Sequence, residues 1–356
     1  MISLENFYWW KLATLMLVLS FGTFNVIAQT SKTQNTAPAF PSTLTVAKDG
    51  SGNYKTIQEA INAVRDLNSN RVVIHIKKGL YLEKIIVPTW KTNISLIGEN
   101  KDSTIISCGD FAGKSVIAGV DIYGKDKFTT YTSYTVLIQG NNVSMEGLTI
   151  ENTAGAVGQA VALHVEADRF AMKDCKILGK QDTLYVTKEN TRQYFLDCYI
   201  EGTTDFIFGE AIVLFRNCLI KSLANSYITA AATRKGQSFG FVFTGCQLSA
   251  DTSVKKVYLG RPWRPYAKTV FINCNLGPHI VALGWDPWKG DAMFPDKGKT
   301  TFYAEYNSKG QGASNKGAGR VAWSKQLSKQ DLNSYTDKLM LGGKDQWNPV
   351  AQFLKK

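Results

Sequence analysis

Short apolar runs alternate along most of the chain with turns rich in Gly, Asn and Asp. One run recurs as a marker, first as EGLTI at 146–150 and then as KDCKI, LDCYI, RNCLI, TGCQL and INCNL. The central residues of the markers are 27, 23, 20, 28 and 28 residues apart, and they are Leu148, Cys175, Cys198, Cys218, Cys246 and Cys274. A repeat of drifting length is typical of a solenoid with variable loops, and these β-rich runs favour a parallel β-helix.

Both ends of the solenoid are predicted to carry helices. Near the first strand, Leu44–Ala47, the residues Thr56 and Glu59 form a capping box. The apolar stripe that follows is Ile57, Ala60, Ile61, Val64 and Leu67. Because an open coil end exposes unpaired backbone and an apolar core, we expect this helix to close it. Coils are predicted to about Trp285, and a last helix over Lys329–Leu341 with Ser328 as its cap.

The amino terminus has the pattern of an export signal. An apolar run, Leu12–Ala28, is interrupted by polar residues and ends in the compact residues Val-Ile-Ala. We expect residues 1–28 to be a signal peptide, residues 29–43 a linker, and residues 44–356 a single catalytic domain. The protein would then be exported, to the medium, the periplasm or the cell surface, with no stable membrane insertion after signal removal. The alternative is a retained membrane anchor, which the short and partly polar run disfavours.

The net charge of the chain indicates which class of partner it binds. Lys and Arg outnumber Asp and Glu by 41 to 29, a net charge of +12. A basic exported protein suits a polyanion, but the chain has no basic run interleaved with aromatics, which argues against nucleic acid. An acidic polysaccharide fits better. The alternative is that surface lysines only keep the solenoid soluble and its edges apart.

Five of the six cysteines share one phase of the repeat, which argues against ordinary disulfide pairing. Neighbouring coils lie about 4.8 Å apart, and a stacked row favours small apolar side chains. Reduced, buried thiols are therefore predicted, although adjacent coils are close enough for a bridge. The cysteine spacings match no metal-ligand pattern. We expect no metal and no cofactor, and a monomer.

Several polar residues lie at equal sequence distances from the marker positions, which predicts that they align on neighbouring coils. Asp182 follows Cys175 by seven residues, and Asp205 follows Cys198 by seven. Their backbones are therefore expected to lie about 5 Å apart on adjacent coils, close enough for the carboxyls to split their proton affinities. Counted backward, Gln159 and Asp182 both precede the next marker by 16 residues. This places one amide a coil before Asp182, with Gln181 as a second amide beside it.

An arginine joins the same strip by backward counting. Arg261 and Asp205 each precede a marker by 13 residues, with the small Thr233 between them. A guanidinium near Asp205 would hold that residue ionised and leave Asp182 as the carboxyl of raised pKa. Trp263 would face the same side in an extended segment. Taken one at a time, each acid could simply be a turn residue, each amide could stack in a hydrogen-bonded ladder along the coils, and the arginine could form a surface ion pair. Their common phase predicts an active site.

A competing motif, GQSFG at 236–240, matches the nucleophile elbow of serine hydrolases. An elbow needs a strand before it and a helix after it, whereas Phe241–Phe243 reads as another strand. Only His279 follows as a triad histidine, and it has no obvious acidic partner. The motif is therefore interpreted as a loop.

Five blocks that carry these residues resemble the pectin methylesterase (pectinesterase) family. In order they are GLYLE at 79–83, QAVAL at 159–163, QDTL at 181–184, DFIFG at 205–209 and LGRPW at 259–263. Similarity extends beyond the blocks, from Val46 to Trp323. The loop 185–204 departs slightly, as do loops near Asp126 and Trp288, and these affect subsite preference rather than chemistry.

The resemblance implies a right-handed parallel β-helix and an aspartyl esterase that converts methyl-esterified homogalacturonan (pectin) to pectate and methanol, in pectin degradation or cell-wall modification. It implies Asp205 as nucleophile and Asp182 as proton donor and acceptor. Gln181 and Gln159 would stabilise the oxyanion, and Arg261 would orient Asp205. Trp263 and Thr130 would contact the sugar, with Gln159 and Arg261 also in the substrate site.

Two other classes of function remain open at this stage. A retaining glycosidase would also suit a close carboxylate pair, and a lyase would need calcium-binding acidic clusters. A noncatalytic pectin-binding solenoid would keep the coils and the charge, but it would not need this set of acids, amides and arginine.

Overall fold

The computed structural model of the protein describes residues 40–117 and 119–354. The predicted signal peptide, residues 1–28, and the first part of the predicted linker lie outside the described residues. The first strand begins at Thr43, the last residue of that linker. Among the described residues, no helix combines the length and the apolar character needed to cross a bilayer.

Short strands account for most of the regular structure. In chain order they are β1 (Thr43–Val46), β2 (Val72–Ile76), β3 (Gly79–Tyr81), β4 (Ile85–Val87), β5 (Ile94–Gly98), β6 (Thr104–Cys108), β7 (Val136–Ile138), β8 (Ser144–Glu146), β9 (Thr149–Asn152), β10 (Leu163–Val165), β11 (Phe170–Lys173), β12 (Lys176–Leu178), β13 (Leu184–Val186), β14 (Arg192–Leu196), β15 (Tyr199–Gly202), β16 (Ile207–Gly209), β17 (Ile212–Arg216), β18 (Leu219–Ser222), β19 (Tyr227–Ala231), β20 (Phe241–Thr244), β21 (Gln247–Ala250), β22 (Tyr258–Pro262), β23 (Lys268–Ile272), β24 (Asn275–Leu276), β25 (Phe302–Tyr306) and β26 (Lys325–Gln326). The helices are α1 (Ile57–Ala63), α2 (Lys297–Thr300), α3 (Asp337–Leu341) and α4 (Val350–Leu354), with 3₁₀ turns at Thr130–Thr132 and Asp331–Ser334.

The strands form three parallel sheets. Sheet A has the order β1-β2-β5-β8-β11-β14-β17-β20-β23-β25-β26, sheet B the order β24-β21-β18-β15-β12-β9-β6-β3, and sheet C the order β22-β19-β16-β13-β10-β7-β4. Each coil adds one strand to each sheet in turn, so neighbours within a sheet come from successive coils and pair in parallel. This architecture is a parallel β-helix, as the repeat predicted.

The marker repeat forms the corner between sheet A and sheet B. The residue before each central marker position has a left-handed backbone, with φ between 48° and 66°, and these residues are Gly147, Asp174, Asp197, Asn217, Gly245 and Asn273. Gly, Asp and Asn tolerate this conformation best, which explains why only they occur there. The turn points the next side chain inward, so the five cysteines of the row are buried, and all six cysteines are free.

Stacked aromatic rings fill the interior behind sheet A. Phe215 and Phe243 have ring centroids 4.5 Å apart, and Phe243 and Phe271 have centroids 4.4 Å apart, with nearly parallel planes in both pairs. The three residues are register partners on successive strands. The spacing between coils therefore matches the stacking distance of aromatic rings, and the core is continuous from coil to coil.

The amino-terminal helix caps the coils. In α1 both hydrogen bonds of the predicted capping box form between Thr56 and Glu59. The buried residues of its stripe join the same core as β1 and β2. Leu67 was predicted in this stripe, and that prediction is wrong. The helix ends at Ala63, and Leu67 has positive φ and is 74% exposed.

The carboxy-terminal segment lies along the outer face of sheet A. A single helix over Lys329–Leu341 was predicted, and that prediction is wrong. Thr336 is extended and its hydroxyl accepts a hydrogen bond from the Leu339 N–H, so it ends the 3₁₀ turn and starts α3. Met340, Leu341, Trp347 and Phe353 cover apolar side chains of the sheet, and Asp345 pairs with Arg169 and Arg192 of earlier coils.

Candidate active site

All seven residues predicted for the site line one cavity of about 310 Å³. They are Thr130, Gln159, Gln181, Asp182, Asp205, Arg261 and Trp263. The cavity lies on the outer face of sheet C, where the outward row along successive strands includes Tyr185, Phe208, Ala230 and Arg261. Repetition along the solenoid axis has therefore brought residues from distant parts of the chain onto one strip.

Asp182 and Asp205 precede neighbouring strands of sheet C at the same distance. Because Leu184 pairs with Ile207, two residues farther on, the two acids share a register position. The N–H of Asp182 donates to the Thr204 carbonyl at 3.1 Å, and the N–H of Asp205 donates to the Tyr227 carbonyl at 2.9 Å. The prediction that both acids share a phase on adjacent coils is confirmed.

The two carboxyls differ in their electrostatic surroundings. Asp182 and Asp205 are only 8% and 7% exposed, so burial raises the pKa of both. Burial together with the charge of Asp205 raises the pKa of Asp182 to about 8. At Asp205 the Arg261 guanidinium opposes the rise in pKa. The pair therefore favours the state in which Asp182 holds the proton and Asp205 is ionised.

Arg261 binds Asp205 in a bidentate ion pair. Its Nε donates to Oδ1 at 3.0 Å and its Nη2 donates to Oδ2 at 2.6 Å. The guanidinium carbon lies 4.0 Å from the Tyr227 ring centroid and 3.7 Å from that of Trp288. The fork geometry and the flanking rings leave the guanidinium little freedom, so Asp205 is held in one orientation.

The register predicted for Arg261 is wrong, although the contact forms. Arg261 pairs with Ala230 and not with Thr233, and Asp205 aligns with Tyr227. The corners between sheet C and sheet A differ in length, with residues 210–211, 232–240 and 263–267 in successive coils. Counting back through them shifts the alignment by several residues. The small side chain that Arg261 passes is Ala230.

Gln159 also lies one residue from its predicted register. Gln159 forms a parallel bridge with Gln181 and not with Asp182, and the Ala160 N–H donates to the Gln181 carbonyl at 3.1 Å. Again the corner lengths differ, with residues 166–169 in one coil and 187–191 in the next. Both amides line the cavity beside the acids. They can donate to an oxygen that gains negative charge there.

Aromatic side chains form the walls and floor of the cavity. Trp263 meets Phe208 edge to face at 5.9 Å, and Phe208 stacks on Tyr185 at 4.3 Å. Thr130 opens the 3₁₀ turn that contributes Tyr131, whose ring lies 5.6 Å from that of Tyr185. Such a surface suits the apolar face of a pyranose ring, with polar groups at its centre to fix orientation.

Sequence reasoning did not single out Tyr131, Phe208, Ala230 and Trp288, which also line the cavity. Phe208 could have been found, since it follows the apolar Ile207 in a short strand whose side chains alternate between the core and the outer face. Trp288 comes from the long segment between β24 and β25, and its backbone N–H donates to Asp286 Oδ1 at 2.6 Å. No periodicity reaches that segment.

The serine-hydrolase motif has a structural role. Residues 236–240 form the loop between β19 and β20, and a strand follows. The Gln237 side chain is buried and donates to the Glu210 carbonyl at 2.8 Å and the Phe239 carbonyl at 2.6 Å. Within residues 40–117 and 119–354, no group of three or more His, Cys, Asp or Glu side chains is arranged to hold a metal ion.

Comparison with known proteins decides the family. The family model described as Pectinesterase matches residues 43–344. The chain belongs to the pectinesterase family. Among curated pectinesterase relatives, it is 38% identical over 322 residues to the probable pectinesterase/pectinesterase inhibitor 23 of Arabidopsis thaliana, covering 86% of this chain and 53% of that protein. The chain spans about half the length of the first curated relatives it matches.

Solved pectinesterase-family structures share the fold. Pectin methylesterase from carrot is 36% identical, with a TM-score of 0.76, covering 87% of this chain and 95% of that one. A pectin methylesterase in complex with hexasaccharide VII is 30% identical, with a TM-score of 0.74, covering 86% of this chain and 97% of that one. The chain is therefore a right-handed parallel β-helix, as the resemblance implied.

Proposed function

We propose that the protein is a pectin methylesterase, which hydrolyses C6 methyl esters of polygalacturonate to pectate and methanol. One observation carries the proposal: an ionisable pair in a single cavity, in which Asp205 is held by Arg261 while Asp182 keeps its proton. Ester hydrolysis needs a nucleophile and a separate proton donor at the same carbonyl, and this pair supplies both.

In the first step a carboxylate oxygen of Asp205 attacks the ester carbonyl carbon. Negative charge moves to the carbonyl oxygen, where the side-chain amides of Gln159 and Gln181 donate hydrogen bonds, a contribution of about 3 kcal/mol for one donor in comparable sites. The bond from carbon to the methoxy oxygen then breaks. Asp182 gives its proton to that oxygen, methanol leaves, and an anhydride links the sugar to Asp205.

In the second step water replaces the enzyme oxygen. Asp182 is now a carboxylate and takes a proton from a water molecule as the water oxygen attacks the anhydride carbonyl. The bond to Asp205 breaks, which restores its carboxylate beside Arg261. The product is a galacturonic acid unit that loses its proton to solvent, and Asp182 is protonated for the next cycle.

The walls of the cavity support a sugar chain as substrate. Trp263, Tyr131, Thr130 and Phe208 line one cavity with the reacting acids, and Tyr185 stacks on Phe208. The net charge of +12 favours a polyanionic polysaccharide. A monomeric protein exported by its first 28 residues is part of this proposal, since pectin lies outside cells.

The test is incubation of the full chain with highly methylated pectin. We expect methanol and acid to appear in equal amounts while chain length stays constant. Shortened chains would instead indicate a glycosidase, and shortened chains with new double bonds a lyase. Binding without any product would leave a pectin-binding solenoid. Absence of methanol at every pH tested would overturn the proposed function.

The residue assignment needs its own variant. Asp205→Asn keeps the shape and the turn but removes the nucleophile, so methanol release should fall to background. Glu189→Gln is a suitable control because Glu189 is an exposed acid in the loop between β13 and β14. Full activity in Asp205→Asn would show that Asp205 is not the nucleophile, but it would not contradict the proposed esterase activity.

A further inference from the structure

Beside Asp205, aromatic and cationic side chains form a continuous column. Arg261 contacts the rings of Tyr227 and Trp288. The Trp288 ring also contacts Lys297, whose ammonium nitrogen lies 4.4 Å from its centroid. A cation held against an indole in a desolvated place is attracted by the negative face of the ring. The column therefore links Lys297 to the bidentate pair through two stabilised contacts.

Lys297 is an unusual residue to find buried. Its side chain is 0% exposed, and Asp291 is its only carboxylate partner among the described residues, at 2.7 Å. A buried ammonium loses its hydration, and an apolar side chain of similar length would fill the same space without that loss. Stability alone therefore does not explain a lysine here. The position of its charge beside the active-site wall does.

The ammonium of Lys297 joins three parts of that wall. It donates to Asp291 and, at 3.4 Å, to the Trp263 carbonyl, and it contacts the Trp288 ring. Asp291 itself accepts hydrogen bonds from the Met293 and Phe294 N–H groups, which fixes the turn before α2. Both tryptophans that line the cavity thus depend on one buried cation.

We propose that Lys297 is a positioning residue for ester hydrolysis, which holds Trp263 and Trp288 in the cavity walls and, through Trp288, holds Arg261 against Asp205. This inference rests on the proposed function. Lys297 touches neither the acids nor the cavity in this role. It acts through the two indoles and the guanidinium.

The charge of Lys297 also reaches Asp205. The titratable and charged groups that act on or face Asp205 are Asp182, Tyr227, Arg261, Asp286, Lys297 and Tyr303. Burial raises the pKa of Asp205, Arg261 lowers it, Asp286 raises it, and Lys297 lowers it by a smaller amount. Removing the Lys297 charge should therefore raise the pKa of Asp205. Because the nucleophile must be ionised, the acid limb of the pH–rate profile should move to higher pH.

The experiment compares Lys297→Met with Lys299→Met in the full chain. Both lysines lie in α2, but the Lys299 side chain is 77% exposed and pairs only with Asp296, so its loss should leave activity unchanged. For Lys297→Met we expect kcat/KM for methanol release to fall by about tenfold to a hundredfold, as misplaced catalytic groups do. The acid limb should move to higher pH.

A second variant separates positioning from folding. Lys297→Met with Asp291→Asn removes the carboxylate that would otherwise be left unpaired, and thermal unfolding measures the folded fraction of each variant. The same loss and the same pH shift in the double variant support the inference. A wild-type pH profile with wild-type kcat/KM per folded molecule overturns it. If the unaltered chain releases no methanol, the proposed function fails instead.

Discussion

Asp182 and Asp205 share not only a register position but also a left-handed backbone, with φ of 64° and 49°. Asp and Asn tolerate this conformation better than other non-glycine residues. The two carboxyls therefore leave their coils in the same direction, one coil apart. Substitution by asparagine therefore removes either charge without disturbing the turn. Substitution by alanine would also strain the left-handed backbone.

The raised pKa of Asp182 predicts a limit on activity at alkaline pH. Its pKa is about 8, so the proton donor is lost as pH rises through that value. The kcat/KM for methanol release should therefore fall above about pH 8, because this ratio reports the ionisations of the free enzyme. Asp182→Asn should be nearly inactive at all pH values. An activity that stays constant far above that pH would contradict the assignment of Asp182.

The same pKa predicts an effect on stability. The pKa of Asp182 rises from an ordinary value of 3.8 to about 8 on folding, so the folded state binds the proton more tightly. Its contribution to the free energy of unfolding is full below the ordinary value and is lost as pH rises through the folded one. Asp182→Asn cannot ionise. Its Tm relative to the unaltered protein should thus be higher at about pH 9 than at about pH 5.

Arg261→Lys tests the bidentate pair. A lysine keeps the charge but cannot make two parallel hydrogen bonds to Asp205 or stack between Tyr227 and Trp288. We expect kcat/KM to fall by about tenfold to a hundredfold, in line with the loss of a charge-assisted hydrogen bond of about 1.5–3 kcal/mol. Arg234→Lys, at an exposed position, is the matched control. Equal activity in both variants would show that the fork geometry is dispensable.

Gly209 lies where a side chain cannot fit. Its φ is +125°, and an added Cβ would lie 1.9 Å from the Val186 carbonyl oxygen of the preceding coil. Gly236 also has positive φ, at +88°, but an added Cβ there meets nothing within 4 Å. Both Gly209→Ala and Gly236→Ala therefore strain the backbone, but only Gly209→Ala also places a Cβ against a neighbouring coil. Urea unfolding should show that the free energy of unfolding of Gly209→Ala is lower than that of Gly236→Ala by about 1–3 kcal/mol.

The cysteine row predicts the reactivity of the thiols. Cys108 is half-buried, and the other five cysteines are buried. In the native protein a thiol reagent should modify Cys108 first, and Cys108→Ala should remove that fast phase. After denaturation without reductant, all six thiols should react, since none is paired. Fewer than six reactive thiols would indicate a bridge between neighbouring coils.

The repeat revealed the fold because its corner has a strict local chemistry. Asp174, Asp197 and Asn217 adopt a backbone that few residues accept, and the cysteine after each must be small and apolar. Forward counting succeeded for the acids because Leu184 and Ile207 each lie nine residues after the row. The segment between sheet B and sheet C is equally long in those two coils.

Backward counting failed where the corners vary. The corners 232–240 and 263–267 lie on the surface and differ in length, so the distances from Thr233 to Cys246 and from Arg261 to Cys274 carry no register. For Arg261, counting and the family resemblance both named Asp205 as the partner, and only the register given by counting was wrong. Trp288 and Lys297 lie in the long segment between β24 and β25, and their place beside Asp205 depends on tertiary packing that no local pattern encodes.

The position of the carboxy-terminal segment has a consequence for the order of assembly. Asp345 pairs with Arg169 and Arg192, and Phe353 and Trp347 cover sheet A, so residues 337–353 cover coils that are synthesised before them. During synthesis those coils emerge with an apolar face that stays uncovered until residues 337–353 follow. A chain that lacks residues 337–353 would therefore expose this face of the solenoid, and we expect it to aggregate.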